Sequence, residues 1–209
     1  MRGTFVFIIF MIAPAFAELH GSNSLEQNQV KSISDAIRRI HPRLSVAKRS
    51  EFSAAIYHAS VRFQIDPQVL VSIAQQESSF RENLPEGAAG ELGLCQVRKS
   101  WLSYEGFKKV FPGAKRGDLL KADKNFLFAA WILSTLKGHV KEDEKLPYWS
   151  FYNARKFKNR FRYFLSVNRY LEQVSIEARP ISSSISARYK GSVTRVASWE
   201  RWISKRLWN

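Results

Sequence analysis

The sequence predicts an α-rich globular protein. Apolar residues recur every three or four positions in several stretches of the 209-residue chain, which is the period of a helix that buries one face. Convincing strand-like alternation is absent from the sequence. The composition is 45% apolar with 15 Phe and 6 Trp, so the chain can form a hydrophobic core without a disulfide or a structural metal ion. The same composition excludes a wholly disordered chain. The single Cys excludes an internal disulfide, and four scattered His without a Cys pair argue against a structural metal site.

Three helices are predicted in the first half of the chain. An apolar stripe over residues 30–40 predicts a helix that ends at His41 and Pro42. Ser50 is expected to cap the second helix. Asp66 caps the third, because the following proline tolerates the first helical position without losing a hydrogen bond.

The second half is predicted to begin with a loop and to continue with three helices. Three glycines and a proline within residues 81–93 predict the loop. Asp123 is expected to cap a helix that runs to Lys137. A short helix around residues 147–154 and a longer one around residues 159–175 follow, the longer one with its apolar stripe on Phe161, Phe164, Leu165, Asn168 and Leu171.

The first 17 residues predict a secretory signal peptide. A short basic start precedes an apolar stretch of about ten residues, and Ala15 and Ala17 form a small-x-small cleavage site. An uncleaved anchor is the alternative, but the apolar stretch is shorter than the ~20 residues that a spanning helix needs. We therefore expect a periplasmic or secreted protein, with residues 18–50 as a helical lead-in.

The charge of the chain points to anionic partners. Lys and Arg number 33 against 18 Asp and Glu, a formal net charge of +15. Export and the lack of a nucleic-acid motif argue against nucleic acid. Residues 177–209 are predicted to form a basic linker and an amphipathic C-terminal helix, which suits an anionic envelope surface and suits packing against the domain equally. Participation in an envelope-spanning complex is left open.

Glu77 is the residue that first suggests chemistry. It continues the apolar face of the third helix, seven residues after Leu70, so its carboxyl group is expected at the lip of a cleft or buried. Partial burial raises the pKa of a carboxyl group and makes it a proton donor near neutral pH. The plainer alternative is a glutamate at a helix end that turns to solvent or pairs with Arg81.

The context of Glu77 resembles a known family. Residues 77–80 read Glu-Ser-Ser-Phe, residues 90–96 read Gly-Glu-Leu-Gly-Leu-Cys-Gln, Asn125 starts a later helix, and residues 152–153 read Tyr-Asn. In this order they resemble the transglycosylase SLT domain of lytic transglycosylases, lysozyme-like enzymes that cleave bacterial peptidoglycan. The resemblance covers roughly residues 52–175, within a predicted domain of residues 51–176.

The resemblance implies a reaction with one carboxyl group and no cofactor. Glu77 would protonate the glycosidic oxygen between N-acetylmuramic acid and N-acetylglucosamine, and then act as base on the C6 hydroxyl, which closes a 1,6-anhydro ring. The substrate would be the glycan strand of peptidoglycan. The residues implied to line the substrate side are Ser78, Gly93, Gln96, Tyr152 and Asn153.

The sequence departs from the family pattern at two positions near the site, and two alternative functions stay open. Cys95 stands where the family usually has Met, and Arg155 stands where it usually has Gly beside the cleft. A goose-type lysozyme-like hydrolase would need a second carboxylate to activate water. A non-catalytic protein that binds peptidoglycan or serves assembly is the other alternative. The candidates for the second carboxylate are Glu82, Glu86 and Glu91.

Overall fold

A computed structural model describes residues 13–139, 145–153 and 156–174, with side chains from residue 24 onward. Most of the predicted leader and all of the predicted C-terminal segment, residues 177–209, lie outside the described residues. Within the described part of the chain, no helix is both long and apolar enough to cross a membrane.

Helices predominate in the described structure, so the predicted α-rich fold class is confirmed. A two-stranded antiparallel hairpin, β1 with β2, and three short 3-10 helices connect the α-helices. In chain order the elements are α1 (Ala13–Ile40), α2 (Val46–Phe63), α3 (Pro67–Ser78), β1 (Glu91–Leu92), β2 (Val97–Arg98), a 3-10 helix (Lys99–Ser103), α4 (Glu105–Val110), a 3-10 helix (Arg116–Leu120), α5 (Ala122–His139), a 3-10 helix (Tyr148–Phe151) and α6 (Phe157–Gln173).

The helix starts follow local hydrogen bonding. Asp66 caps α3 as predicted, its carboxylate accepting from the Gln68 N–H at 2.8 Å. The predicted cap of α2 at Ser50 was wrong, because Ser45 caps that helix and accepts from the Lys48 N–H at 3.3 Å. An apolar stripe indicates which face of a helix is buried but not where the helix begins. The turn after Pro42 sets that start.

Helix α3 lies at the centre of the domain. It contacts α1, α2, α5 and α6, and nine of its twelve residues are buried. Such a helix is surrounded by apolar partners rather than packed on one face. Glu77, in the last turn of α3, therefore lies at the boundary of the core.

The buried face of α6 differs from the predicted stripe. Its buried residues are Arg160, Tyr163, Phe164 and Val167. Arg160 can point inward because its guanidinium lies over the Phe151 ring, 3.2 Å from the centroid, and Nε contacts Ser150 Oγ at 3.4 Å. The prediction assumed that charged residues face solvent, and these partners on the preceding 3-10 helix reverse that preference.

Asn125 on α5 fixes the turn between β1 and β2. Its Oδ1 accepts from the Cys95 N–H at 2.7 Å, and its Nδ2 donates to Leu92 O at 3.0 Å and Leu119 O at 2.7 Å. Gly93 lies directly against it with φ at +75°, and a Cβ atom there would come within 2.4 Å of Asn125 Nδ2. The close approach of α5 to this turn therefore requires glycine.

Replacement of Asn125 by Ala should destabilise the domain strongly. The variant leaves one buried N–H and two buried carbonyl groups without partners, which costs about 3 kcal/mol or more. This corresponds to a fall in Tm of about 6–12 °C, measurable by circular dichroism. Asn125→Asp should behave similarly because it removes both donated bonds. The exposed Asn83→Ala is the control, and an equal Tm for both alanine variants would contradict this role of Asn125.

Candidate active site

Glu77 lies at the end of α3 with a half-buried side chain. Its Oε1 atom is buried, and within the described residues it has no hydrogen bond of normal geometry. The expected alternative, a pair with Arg81, is not formed there, because Arg81 Nε donates to Ser78 O at 3.0 Å. The chain reverses directly after Glu77, since Ser79 and Phe80 both adopt positive φ angles.

The turn between β1 and β2 forms a second side of the site. Gly93 and Gln96 both have positive φ, and Gln96 bonds back to Gly93 O through its backbone N–H at 3.1 Å and its Nε2 at 2.9 Å. Between them lies Cys95, which is fully buried and close enough to Glu77 for the carboxylate charge to raise the pKa of its thiol. The second sequence motif is thus a tight turn that presents its backbone near the carboxyl group.

The Tyr-Asn segment after the last 3-10 helix forms the third side. Tyr152 donates its hydroxyl to Cys95 O at 2.9 Å, which joins residues 57 positions apart in the chain. The side chain of Asn153 interacts with Glu77. Tyr152 therefore holds two site segments together, while Asn153 reaches the carboxyl group itself.

Sequence reasoning missed Tyr163. It is buried on α6, and its hydroxyl interacts with the carboxyl group of Glu77. Among the described residues, the Tyr163 hydroxyl has no hydrogen bond of full geometry. The Tyr163 hydroxyl and Glu77 Oε1 are therefore two buried polar atoms, each without a well-formed hydrogen bond. Its position four residues before Val167, on the buried face of α6, could have indicated that Tyr163 points inward. The neighbouring phenylalanines suggested a different buried face.

Burial raises the pKa of Glu77 above its ordinary value. The side chains of Tyr163 and Asn153 oppose this effect, since both favour the charged carboxylate and lower the pKa. Of the nearby charges, Glu91 raises the pKa of Glu77 and Arg98 lowers it. Desolvation is the largest contribution, so the site favours a protonated carboxyl group, which a general acid needs.

The two tyrosines and the cysteine beside Glu77 are neutral at physiological pH. Burial raises the pKa of Tyr152 and of Tyr163 well above the ordinary tyrosine value, so both keep their hydroxyl protons. Burial likewise raises the pKa of the Cys95 thiol, which excludes a reactive thiolate. Within the described residues no cluster of three or more His, Cys, Asp and Glu side chains could hold a metal ion.

The predicted site residues divide into two groups. Glu77, Gly93, Gln96, Tyr152 and Asn153 all belong to the three segments that meet at the carboxyl group. Ser78 differs, because it is 1% exposed and its hydroxyl donates to Ala74 O at 3.1 Å. Its side chain therefore bonds within the last turn of α3 and does not face the substrate side. Arg155, the residue expected to alter the cleft, lies outside the described residues.

Comparison with known proteins identifies the family of the chain. Residues 54–163 match the family model of the transglycosylase SLT domain, and the chain belongs to this family. The membership implies lytic transglycosylase activity in general, with peptidoglycan as substrate. Among curated proteins and among solved structures, no significant match to the chain is found.

Replacement of Glu77 by Gln should stabilise the protein at high pH. Because folding raises the pKa of Glu77, the native state binds more protons than the unfolded state, and its free energy of unfolding falls as pH rises from the ordinary value of 4.5 through the raised value. Gln cannot lose a proton, so the variant escapes this fall. At pH 8 we therefore expect Glu77→Gln to unfold at a higher Tm than the wild-type protein.

The gain should vanish at pH 4, below the ordinary pKa of glutamate, where both proteins are neutral at this position. Thermal unfolding at a series of pH values measures the difference. The exposed Glu105→Gln, which interrupts a surface pair with Lys108, should change stability by less than about 0.5 kcal/mol. A gain for Glu77→Gln that is the same at pH 4 and pH 8 would contradict the ionisation argument.

Proposed function

We propose that this member of the transglycosylase SLT domain family is an exported lytic transglycosylase that uses Glu77 as its single acid and base. The observation that carries the proposal is the half-buried Glu77 carboxyl group, whose pKa burial raises, at the meeting point of three family motifs. Its substrate is the glycan strand of peptidoglycan, cleaved at the β-1,4 bond between N-acetylmuramic acid and N-acetylglucosamine.

In the first step, protonated Glu77 donates its proton to the glycosidic oxygen. The bond between this oxygen and C1 of the muramic acid breaks, and C1 acquires oxocarbenium character. In the second step, the Glu77 carboxylate accepts the proton of the C6 hydroxyl as that oxygen attacks C1. The products are a shortened strand and a 1,6-anhydro end, and Glu77 regains its proton.

The intramolecular nucleophile explains why one carboxyl group suffices. A C6 hydroxyl on the reacting sugar has a high effective concentration at C1, so no second residue is needed to activate water. Tyr163 and Asn153 support the second step, because both favour the charged form of Glu77 that appears after the first proton transfer. They therefore suit a group that alternates between acid and base.

The three loop glutamates favour this reaction over the hydrolase alternative. Glu82 pairs with Lys48 at 2.7 Å, and Glu86 pairs with Lys99 and Arg116, each at 2.7 Å. Glu91 pairs with Arg98 at 3.1 Å and accepts from the Ala89 N–H at 2.8 Å. Each of these carboxylates is paired with a cation, whereas the Glu77 carboxyl group forms no salt bridge within the described residues, which supports Glu77 as the group that exchanges protons.

Export and envelope attachment are the parts of the proposal that rest on sequence. The N-terminal 17 residues would direct the chain across the membrane, and the basic residues 177–209 would hold it on an anionic envelope surface. Both segments lie beyond the part that carries the described site. The location follows from the substrate as well, since peptidoglycan is outside the cytoplasm.

Product analysis tests the role of Glu77. Purified peptidoglycan is digested with the mature protein, with Glu77→Gln and with Glu105→Gln, and the soluble products are identified by mass spectrometry. We expect anhydro-muropeptides from the first and third proteins and at least a 10³-fold smaller yield from Glu77→Gln, since its amide keeps the shape but lacks the proton. Reducing-end products, heavier by one water or about 18 Da, would instead identify a hydrolase.

Single glutamine variants of the loop glutamates test the same choice independently. If Glu77 acts alone, Glu82→Gln, Glu86→Gln and Glu91→Gln should each still yield anhydro ends, because none of these side chains takes part in the bond changes. An inverting hydrolase would lose activity by several orders of magnitude in one of them. Loss of all product in any one variant that still unfolds cooperatively would overturn the single-carboxyl reaction.

A further inference from the structure

Glu91 and Arg98 face each other across the hairpin. They are register partners in the antiparallel pairing of β1 and β2, so their side chains lie on the same face. Arg98 Nε donates to Glu91 Oε1 at 3.1 Å, and the other carboxylate oxygen accepts from the Ala89 N–H at 2.8 Å. The pair thus closes the glycine-containing turn that holds Cys95 and Gln96.

Arg98 also reaches the third side of the site. Its Nη2 donates to Asn153 O at 3.2 Å, although the two residues are 55 positions apart. One guanidinium group therefore joins the hairpin to the segment that carries Tyr152 and Asn153. A planar guanidinium can make both bonds at fixed angles, whereas a lysine ammonium is a point charge on a flexible stem.

We propose that Arg98, held by Glu91, is a positioning residue that keeps the Asn153 side chain beside Glu77, with the opposite charges of the pair balancing each other at that carboxyl group. The proposal rests on the function proposed above, in which Glu77 must alternate between acid and base. Neither Glu91 nor Arg98 touches the reacting atoms in this view. Both act through Asn153 and through the electric field.

The two members of the pair act on Glu77 in opposite directions. Glu91 raises the pKa of the Glu77 carboxyl group, and Arg98 lowers it. The other groups that face Glu77 are Tyr163 from α6, Asn153 and Tyr152 from the third segment, and Cys95 from the turn. Since the side chains of Glu91 and Arg98 are 21% and 46% exposed, solvent moderates both effects.

The opposite signs provide a test that a merely structural ion pair would fail. In full-length protein labelled with ¹³C at glutamate carboxyl groups, the Glu77 resonance is assigned by its absence in Glu77→Gln and followed over pH. We expect its titration midpoint to move to lower pH in Glu91→Gln and to higher pH in Arg98→Gln. The double variant should titrate between Glu91→Gln and Arg98→Gln, because it removes both charges but also releases Asn153, which lowers the pKa of Glu77.

Arg98→Lys separates position from charge. It keeps the cation, so the Glu77 midpoint should rise less than in Arg98→Gln, but it lacks the planar fork that holds Glu91 and Asn153 together. We expect the rate of anhydro-product formation to fall about 10-fold, since small misplacements of a positioned group cost catalysis. An Arg98→Lys rate equal to that of the wild type would overturn the positioning role.

The surface pair of Glu105 and Lys108 on α4, joined at 2.8 Å, supplies matched controls. Neither residue acts on Glu77, so Glu105→Gln and Lys108→Gln should leave its midpoint unchanged. Midpoints that move in the same direction in Glu91→Gln and Arg98→Gln, or that do not move, would overturn the proposal. The titration needs no substrate, so the two proposals can fail separately. A wild-type protein that forms no anhydro products would refute the proposed function, and the titration midpoints would still test the effect of Glu91 and Arg98 on Glu77.

Discussion

The partial burial of one carboxyl group at the end of α3 is the constraint on which the rest of the site depends. Nine of the twelve residues of that helix are buried, so its last turn delivers Glu77 to the boundary of the core rather than to open solvent. Desolvation there favours the protonated acid and makes the charged base costly. Burial of this carboxyl group therefore lowers the stability of the fold at high pH, and the proposed role of Glu77 as proton donor accounts for that cost.

The surrounding groups moderate that cost without removing it. Tyr163 and Asn153 favour the carboxylate, and both tyrosines of the site stay neutral because burial raises the pKa of each. Arg98 and Glu91 contribute opposite charges from one side. A group that must both give and take a proton within one reaction requires such a balance, since a pKa far from the working pH would slow one of the two steps.

Long-range hydrogen bonds, rather than the loop sequence alone, give the site its rigidity. Asn125 holds the hairpin turn to α5, Tyr152 holds the third segment to the same turn, and Arg98 adds a second tie between them. Gly93 permits the close approach that the first of these bonds needs. Side-chain to backbone bonds of this kind fix loops that carry little secondary structure of their own.

The sequence by itself indicated α1, α2, α3, α5 and α6, the start of α3 and the position of Glu77 at its end, because periodicity and capping act within about four residues of the chain. It did not predict α4 or the hairpin, and Asp123, expected to cap α5, lies in its first turn. It also identified the motifs around Glu77. It did not find the cap of α2 at Ser45, the inward Arg160 or the approach of Tyr163 to Glu77. The cap of α2 is local, but the sequence offers both Ser45 and Ser50, and the turn after Pro42 selects the first. The inward Arg160 and the approach of Tyr163 depend on partners from other segments, so only the packing of α6 against the preceding 3-10 helix and against α3 decides them.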